Sequence, residues 1–171
     1  PEVDLPGHAG GLLPLRERGL NFCKPLPGTR PRPEEATKIY DDPAGRTRTV
    51  LRQVLVETAL AFGPDLRWFH VGGDEANPMQ HCNKENIVAL EAFAVRDIVQ
   101  QELGLTAVAW EELRLKKPES DGIRAAGEST DTIVVPWRFG TAAGVISRGH
   151  RAIVANMQHH YLDFSYNTHP P

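Results

Sequence analysis

The sequence predicts an α/β fold built on a parallel β-sheet, and three observations lead there. Short runs that are apolar on both faces recur along the chain: "LRWFHV" (66–71), "LTAVAW" (105–110), "DTIVVPW" (131–137) and "RAIVANM" (151–157). Strands buried on both sides read this way. Segments with helical spacing lie between several of the runs, as parallel strands require for their connections. Each run also leads into polar or aromatic side chains, and the C-terminal edge of a parallel sheet is where a site is built.

Taken in order, "PEVDLPGHAGG" reads as the end of a strand entering a loop, and residues 10–48, rich in Pro, Gly and Arg, read as a long loop. From Arg46, side chains at Val50, Leu51, Val54, Leu55, Thr58, Ala59 and Phe62 follow the three-and-four spacing of a helix face, and Gly63-Pro64 stops the helix. A second helix is expected over 84–103, carried by Ile87, Leu90, Ala94, Ile98 and, out of step, Leu103, with Gly104 as its left-handed cap. "GTAAGVISRG" reads as a short helix between the third and fourth runs, and 111–130 as mostly loop. No internal repeat or domain boundary is visible.

The 171 residues suffice for one domain with a sizeable core. With 40% hydrophobic and 24% charged residues and a net charge of −3, the chain shows no basic footprint for nucleic acid or a membrane surface. Its apolar runs fall well short of the ~20 residues of a membrane span. It begins at Pro1 without a Met or a signal-peptide pattern, which suggests a fragment of a larger fold. Cys23 and Cys82 are too few to define a disulfide framework and lack metal-ligand spacing.

The chemistry gathers at the strand ends: Asp4 and His8, His70 with Asp74 and Glu75, Trp110 with Glu111, Trp137, and Tyr161 with Asp163. Carboxylates and imidazoles move protons, while Trp and Tyr faces suit the apolar side of a sugar ring. "HVGGDE" lacks the spacing of a dinucleotide or Walker loop. A carbohydrate fits this set better than a nucleotide.

The stretch "HVGGDEA" resembles the signature of family 20 glycoside hydrolases, the β-N-acetylhexosaminidases, and "PEVDLPGHAG", "AVAWEEL", "VVPW" and "YLDF" follow the same family in its order. The resemblance implies a partial (β/α)8 TIM barrel, with 1–171 a fragment of a single catalytic barrel covering roughly strands 3 to 7. It implies retaining hydrolysis of terminal N-acetyl-β-D-hexosamine residues, assisted by the substrate's own acetamido group through an oxazolinium intermediate. Glu75 is then the general acid and base, Asp74 orients the acetamido group, and His8 contacts the acid and tunes its proton. Trp110 and Trp137 wall the acetamido methyl, Tyr161 donates to the acetamido oxygen, and Asp163 binds sugar hydroxyls. Asp4 is expected to fix its loop, and Glu111 to lie near an outer subsite.

The resemblance further implies a Cys23–Cys82 disulfide, a secreted or lysosome-like or vacuolar location, no cofactor and no metal. Partners would be N-acetylglucosamine- or N-acetylgalactosamine-terminated glycans, with a homodimeric parent an open option and no nucleic acid or membrane partner. The family's first-strand arginine, second-strand aspartate and last-strand tryptophan and glutamate have no counterpart in this chain. Two other readings stay open: a metal-dependent barrel hydrolase using ligands among His8, His70, Asp74, His81, His159, His160 and Asp163, and a non-catalytic carbohydrate-binding protein on the same scaffold.

Overall fold

In the computed structural model, residues 1–5, 7–23, 38–74, 84–111, 131–138 and 142–161 are described, apart from the side chains of Lys84 and Ile87. Strands β1 (Trp68–His70), β2 (Thr106–Trp110), β3 (Ile133–Val135) and β4 (Arg151–Ala152) form one sheet whose spatial order equals chain order. Every pairing is parallel, with Phe69 opposite Ala107, Ala109 opposite Val134, and Val134 opposite Ala152. The opening segment continues this order on the outer side of β1. Glu2 bridges His70 in parallel, the Val3 N–H donates to the His70 carbonyl at 3.0 Å, and the Leu5 N–H donates to that of Val71 at 2.9 Å.

Alternation along the strands sorts side chains onto two faces. Phe69, Ala107 and Ala109 join the large core beneath the helices, together with Leu51, Leu55, Val95 and Val99. Val108, Ile133 and Val135 pack on the opposite face with Trp110. That second face carries the site.

Helix α1 (Arg46–Phe62) has the expected bounds and buries Val50, Leu51, Leu55 and Ala59. Asp42 holds its start: one carboxylate oxygen accepts from the Thr47 N–H at 2.7 Å and the other from Ala44 at 3.1 Å. The second helix begins as α2 (Lys84–Ala92) and then widens into a π-helical stretch, Phe93–Glu102. The Leu103 N–H reaches back five residues to the Ile98 carbonyl at 2.9 Å, which accounts for the out-of-step spacing of those side chains in the sequence.

The region expected to be one long loop holds more structure. Ala9–Arg18 is a 3-10 helix containing Pro14, ended by Gly19 at φ 104°. Its three-residue turn leaves no 3.6-residue period to read. Phe22 pairs antiparallel with Ile39, and both are buried. The expected fourth strand is also shorter than its apolar run. Regular strand ends at Ala152, although the Ala155 N–H still donates to Pro136 and the Met157 N–H to Trp137 at 2.9 Å, and Asn156 caps α4 (Met157–His160), its side chain accepting from the Gln158 N–H at 2.9 Å. The short helix α3 (Ala142–Ser147) falls where expected. The stretch 112–130, expected as mostly loop, lies outside the described residues. No helix among the described residues is long and apolar enough to cross a membrane.

Candidate active site

The parallel order brings the C-terminal ends of the opening segment, β1, β2 and β3 side by side. Beyond the regular strands the backbone ladder continues into the site: the Trp110 N–H donates to the Gly72 carbonyl at 2.8 Å, and the Glu111 N–H to that of Val135 at 3.1 Å. Trp110 is thereby fixed beside the two glycines that precede Asp74.

Those glycines answer to geometry. Gly72 and Gly73 have φ of 79° and 102°, in the left-handed region. A Cβ on Gly72 would lie 2.3 Å from Asp4 Oδ1 and 2.6 Å from the Leu5 nitrogen. Only a bare backbone lets the Asp74 loop come this close to the Asp4 strand end.

The close approach makes an acidic pair. Asp4 hydrogen-bonds Asp74 and accepts from the Gly73 N–H, and its carboxyl is pushed up to about 8, first by burial and then by the hydrogen bond and charge of Asp74. Asp4 therefore carries a proton near neutrality and donates it to Asp74. On the other side, Asp74 Oδ2 lies 3.3 Å from His8 Nε2. Asp4 Oδ1 and Asp74 Oδ1 are buried and meet no hydrogen-bond partner among the described residues. One donor atom from each of Asp4, His8 and Asp74 can be chosen so that all lie within 4.8 Å of one another, a spacing suited to sharing a proton or a small cation.

Next to this cluster runs a continuous aromatic wall. His70 meets Trp110 edge to face with ring centroids 5.0 Å apart, Trp110 meets Trp137 likewise at 6.3 Å, and Trp137 stacks on Tyr161 at 5.9 Å with planes 16° apart. Arg138 lies over the Trp137 ring at 5.6 Å. Such a wall offers ring faces to an apolar group while the acids beside it handle charge and protons.

The structure thus assembles His8, Asp74, Trp110, Trp137 and Tyr161. Glu75, Asp163 and Cys82 lie outside the described residues. Cys23 is disulfide-bonded and buried. Glu111 does not reach an outer subsite: it is 1% exposed, and its carboxylate accepts from the Arg138 N–H at 2.7 Å, bracing the end of β2 against that of β3. Asp4, expected only to fix a loop, is in contact with Asp74. Among the described residues, His8 and Asp74 of the metal-ligand set come together, while His70, His159 and His160 do not join them. His70 Nδ1 faces Glu2 at 3.1 Å, His159 and His160 are exposed on α4, and His81 and Asp163 lie outside the described residues.

Residue type alone does not single out Glu2, nor the contact that Asp4 makes with Asp74. Their signal was the two-residue step between them, which puts both acids on one side of a strand.

Comparison with known proteins points to one family. A beta-hexosaminidase 1 of Coccidioides posadasii is 24% identical over 97% of the chain, and a beta-N-acetylhexosaminidase of Cellulomonas fimi 29% identical over 98%. The chain spans 31% of the length of each. The crystal structure of a GH20 exo beta-N-acetylglucosaminidase from Vibrio harveyi, in complex with N-acetylglucosamine, superposes on 90% of the chain and 25% of its own with a TM-score of 0.64 at 22% identity. The sheet described above is accordingly an arc of a (β/α)8 barrel. The family model for the glycosyl hydrolase family 20 catalytic domain matches residues 1–171, and the chain belongs to that family.

Proposed function

We propose that the protein of which these residues form part hydrolyses terminal, non-reducing N-acetyl-β-D-hexosamine residues of chitooligosaccharides or glycoconjugates, with retention of configuration. The observation that carries this is Asp74, held between Asp4 and His8 beside the aromatic wall formed by Trp110, Trp137 and Tyr161. A retaining enzyme of the two-carboxylate kind forms a covalent sugar–enzyme bond. Substrate-assisted hydrolysis needs instead one proton donor and one group to hold an acetamido nitrogen. In this reading Asp74 is the holder. Two of its neighbours fix its orientation before substrate arrives, one of them a proton donor.

The acetamido carbonyl oxygen attacks the anomeric carbon as the glycosidic oxygen takes a proton from Glu75 and leaves. The positive charge that develops on the oxazolinium ring is countered by Asp74. Water, deprotonated by Glu75, then opens the ring from the same face. Trp110 and Trp137 wall the methyl group, Tyr161 donates to the acetamido oxygen, and Asp163 binds ring hydroxyls. We further propose that residues 1–171 are part of a single catalytic barrel completed by flanking chain, since the relatives run far longer than the stretch they share with it. A Cys23–Cys82 bridge would suit a secreted or lysosomal setting, where disulfides persist.

The test is release of nitrophenol from 4-nitrophenyl N-acetyl-β-D-glucosaminide by the full-length protein. Glu75→Gln and Asp74→Asn are each expected to lower kcat by about 10²–10⁴-fold. Sugar binding with no turnover by the unaltered protein would move the assignment to a carbohydrate-binding role. The close spacing of Asp4, His8 and Asp74 favours one further reading, a metal-assisted hydrolase. Activity unchanged by a chelator is the result expected here, and activity lost and restored by added cation would establish the metal reading instead.

A further inference from the structure

Glu2, His70 and Trp110 come from three neighbouring strands and meet on the site-facing side of the sheet. Glu2 bridges His70, His70 is opposite Val108, and Trp110 follows Val108 by two residues on the same face. Their side chains interlock. The Trp110 Nε1–H donates to Glu2 Oε1 at 3.2 Å, the same oxygen lies 3.1 Å from His70 Nδ1, and the His70 ring abuts the indole edge to face. The Gly72 N–H also points to His70 Nδ1, at 3.1 Å, and since one ring nitrogen either accepts from that N–H or donates to Glu2, the imidazole has a partner on this edge in either tautomer.

An indole beside a pocket can present either its N–H or its face. Here the N–H is taken up by a carboxylate, a charge-assisted acceptor. The contact with His70 is the largest cause holding the Glu2 carboxyl below its ordinary range, with burial opposing it. Rotation of Trp110 about its side-chain bonds would break the bond to Glu2 and the edge contact to His70 together.

We propose that Glu2 and His70 are positioning residues that lock the Trp110 indole in one orientation, so that its ring face sets the depth of the pocket for the sugar's N-acyl group. This inference rests on reading the site as an N-acetylhexosamine pocket. A rigid wall rejects a longer acyl chain, and a loose one yields to it. One methylene in a fitted apolar pocket changes kcat/KM by roughly 10–200-fold.

The experiment compares N-acetyl and N-propionyl 4-nitrophenyl β-D-glucosaminides on the full-length protein with Glu2→Leu, Glu2→Ala and Glu2→Gln. It also follows the fluorine resonance of Trp110 in 5-fluorotryptophan-labelled protein, assigned by its loss in Trp110→Phe. With Leu or Ala at position 2, the resonance should shift or broaden. KM for the N-acetyl substrate should rise more than kcat falls, and the preference for N-acetyl over N-propionyl should shrink about tenfold, the low end of a one-methylene discrimination. Glu2→Gln keeps an acceptor oxygen and should recover most of each effect.

An unshifted resonance with unchanged acyl preference in whichever of the Leu and Ala variants folds would overturn the proposal. So would equal losses in all three variants, since that would point to the charge of Glu2 rather than to its hold on the indole. Unaltered protein that cleaves neither sugar would defeat the N-acetylhexosamine reading, while the fluorine shift still decides whether Glu2 holds Trp110.

Discussion

At the residue scale, the pairing of Asp4 with Asp74 has a measurable signature. The Asp4 carboxyl titrates at about 8 in the folded protein against an ordinary 3.8, chiefly because it is buried and secondly because Asp74 accepts its proton. Between those values the folded protein keeps a proton that the unfolded chain has released. Stability is therefore at its full value below that window, falls as pH rises through it, and stays lowered above it. Asp4→Asn replaces the protonated acid with a neutral side chain of the same shape. We expect urea midpoints of the variant to lose this decline between about pH 4 and pH 8 and to exceed those of the unaltered protein at pH 9. An unchanged slope would show that the proton resides elsewhere. The neighbouring Gly72 admits no such exchange, because both its positive φ and the Asp4 strand end exclude a Cβ.

At the scale of elements, the site depends on segments that lie behind it. Helix α1 packs on the far face of the sheet and is tied to the π-helical stretch by the Arg52–Glu102 ion pair. Its start relies on Asp42, which is 6% exposed. Burial pushes the Asp42 carboxyl up, but hydrogen bonds from Thr47, Arg46 and Ala44 outweigh it and hold the group at about 2. A depressed carboxyl stabilises the fold above its ordinary value, and that contribution is lost as pH falls through about 2. Asp42→Ala should cost about 1–2 kcal/mol at neutral pH, as loss of a helix-start acceptor does. The gap from the unaltered protein should close as the pH approaches that of Asp42. Thermal melts at pH 7 and in acid decide it, and a gap that does not narrow in acid would show that the lost contacts are apolar rather than ionic.

At the scale of the molecule, the described sheet ends at β4, beside which Ile153 and Val154 are each about half exposed, at 51% and 50%. At the amino ends of the strands, Trp68 is 57% exposed, and Leu60 and Phe62 project from the end of α1. Apolar residues beside an open sheet edge invite pairing with other chains. Residues 1–171 expressed alone should therefore bind a hydrophobic dye and elute at sizes that grow with concentration, while the full-length protein should do neither. A monomeric, dye-silent product from 1–171 would show that this edge is covered from within the chain.

Much of this was legible in the sequence. The helix over 46–62 carried a regular apolar stripe and a Gly-Pro stop, and the strands carried two-sided apolar runs, so local physics sufficed for both. His8, Asp74, Trp110, Trp137 and Tyr161 were legible because they follow strand ends, and parallel strands place their ends together. The 3-10 turn at 9–18 and the early end of β4 were not, since neither follows the periods of an ideal helix or strand. Nor does residue type reveal which acids touch. Glu111 looks as available as Asp74 in the sequence, yet the one is sealed beneath the Arg138 backbone and the other is held by Asp4 and His8. The sequence by itself determined the helix over 46–62, the two-sided apolar strands and which residues follow them to the carboxyl edge. Only the tertiary structure decided that Asp4 shares a proton with Asp74 and that Glu2 holds Trp110, because both contacts join separate strands whose distance is set by the register of the whole sheet.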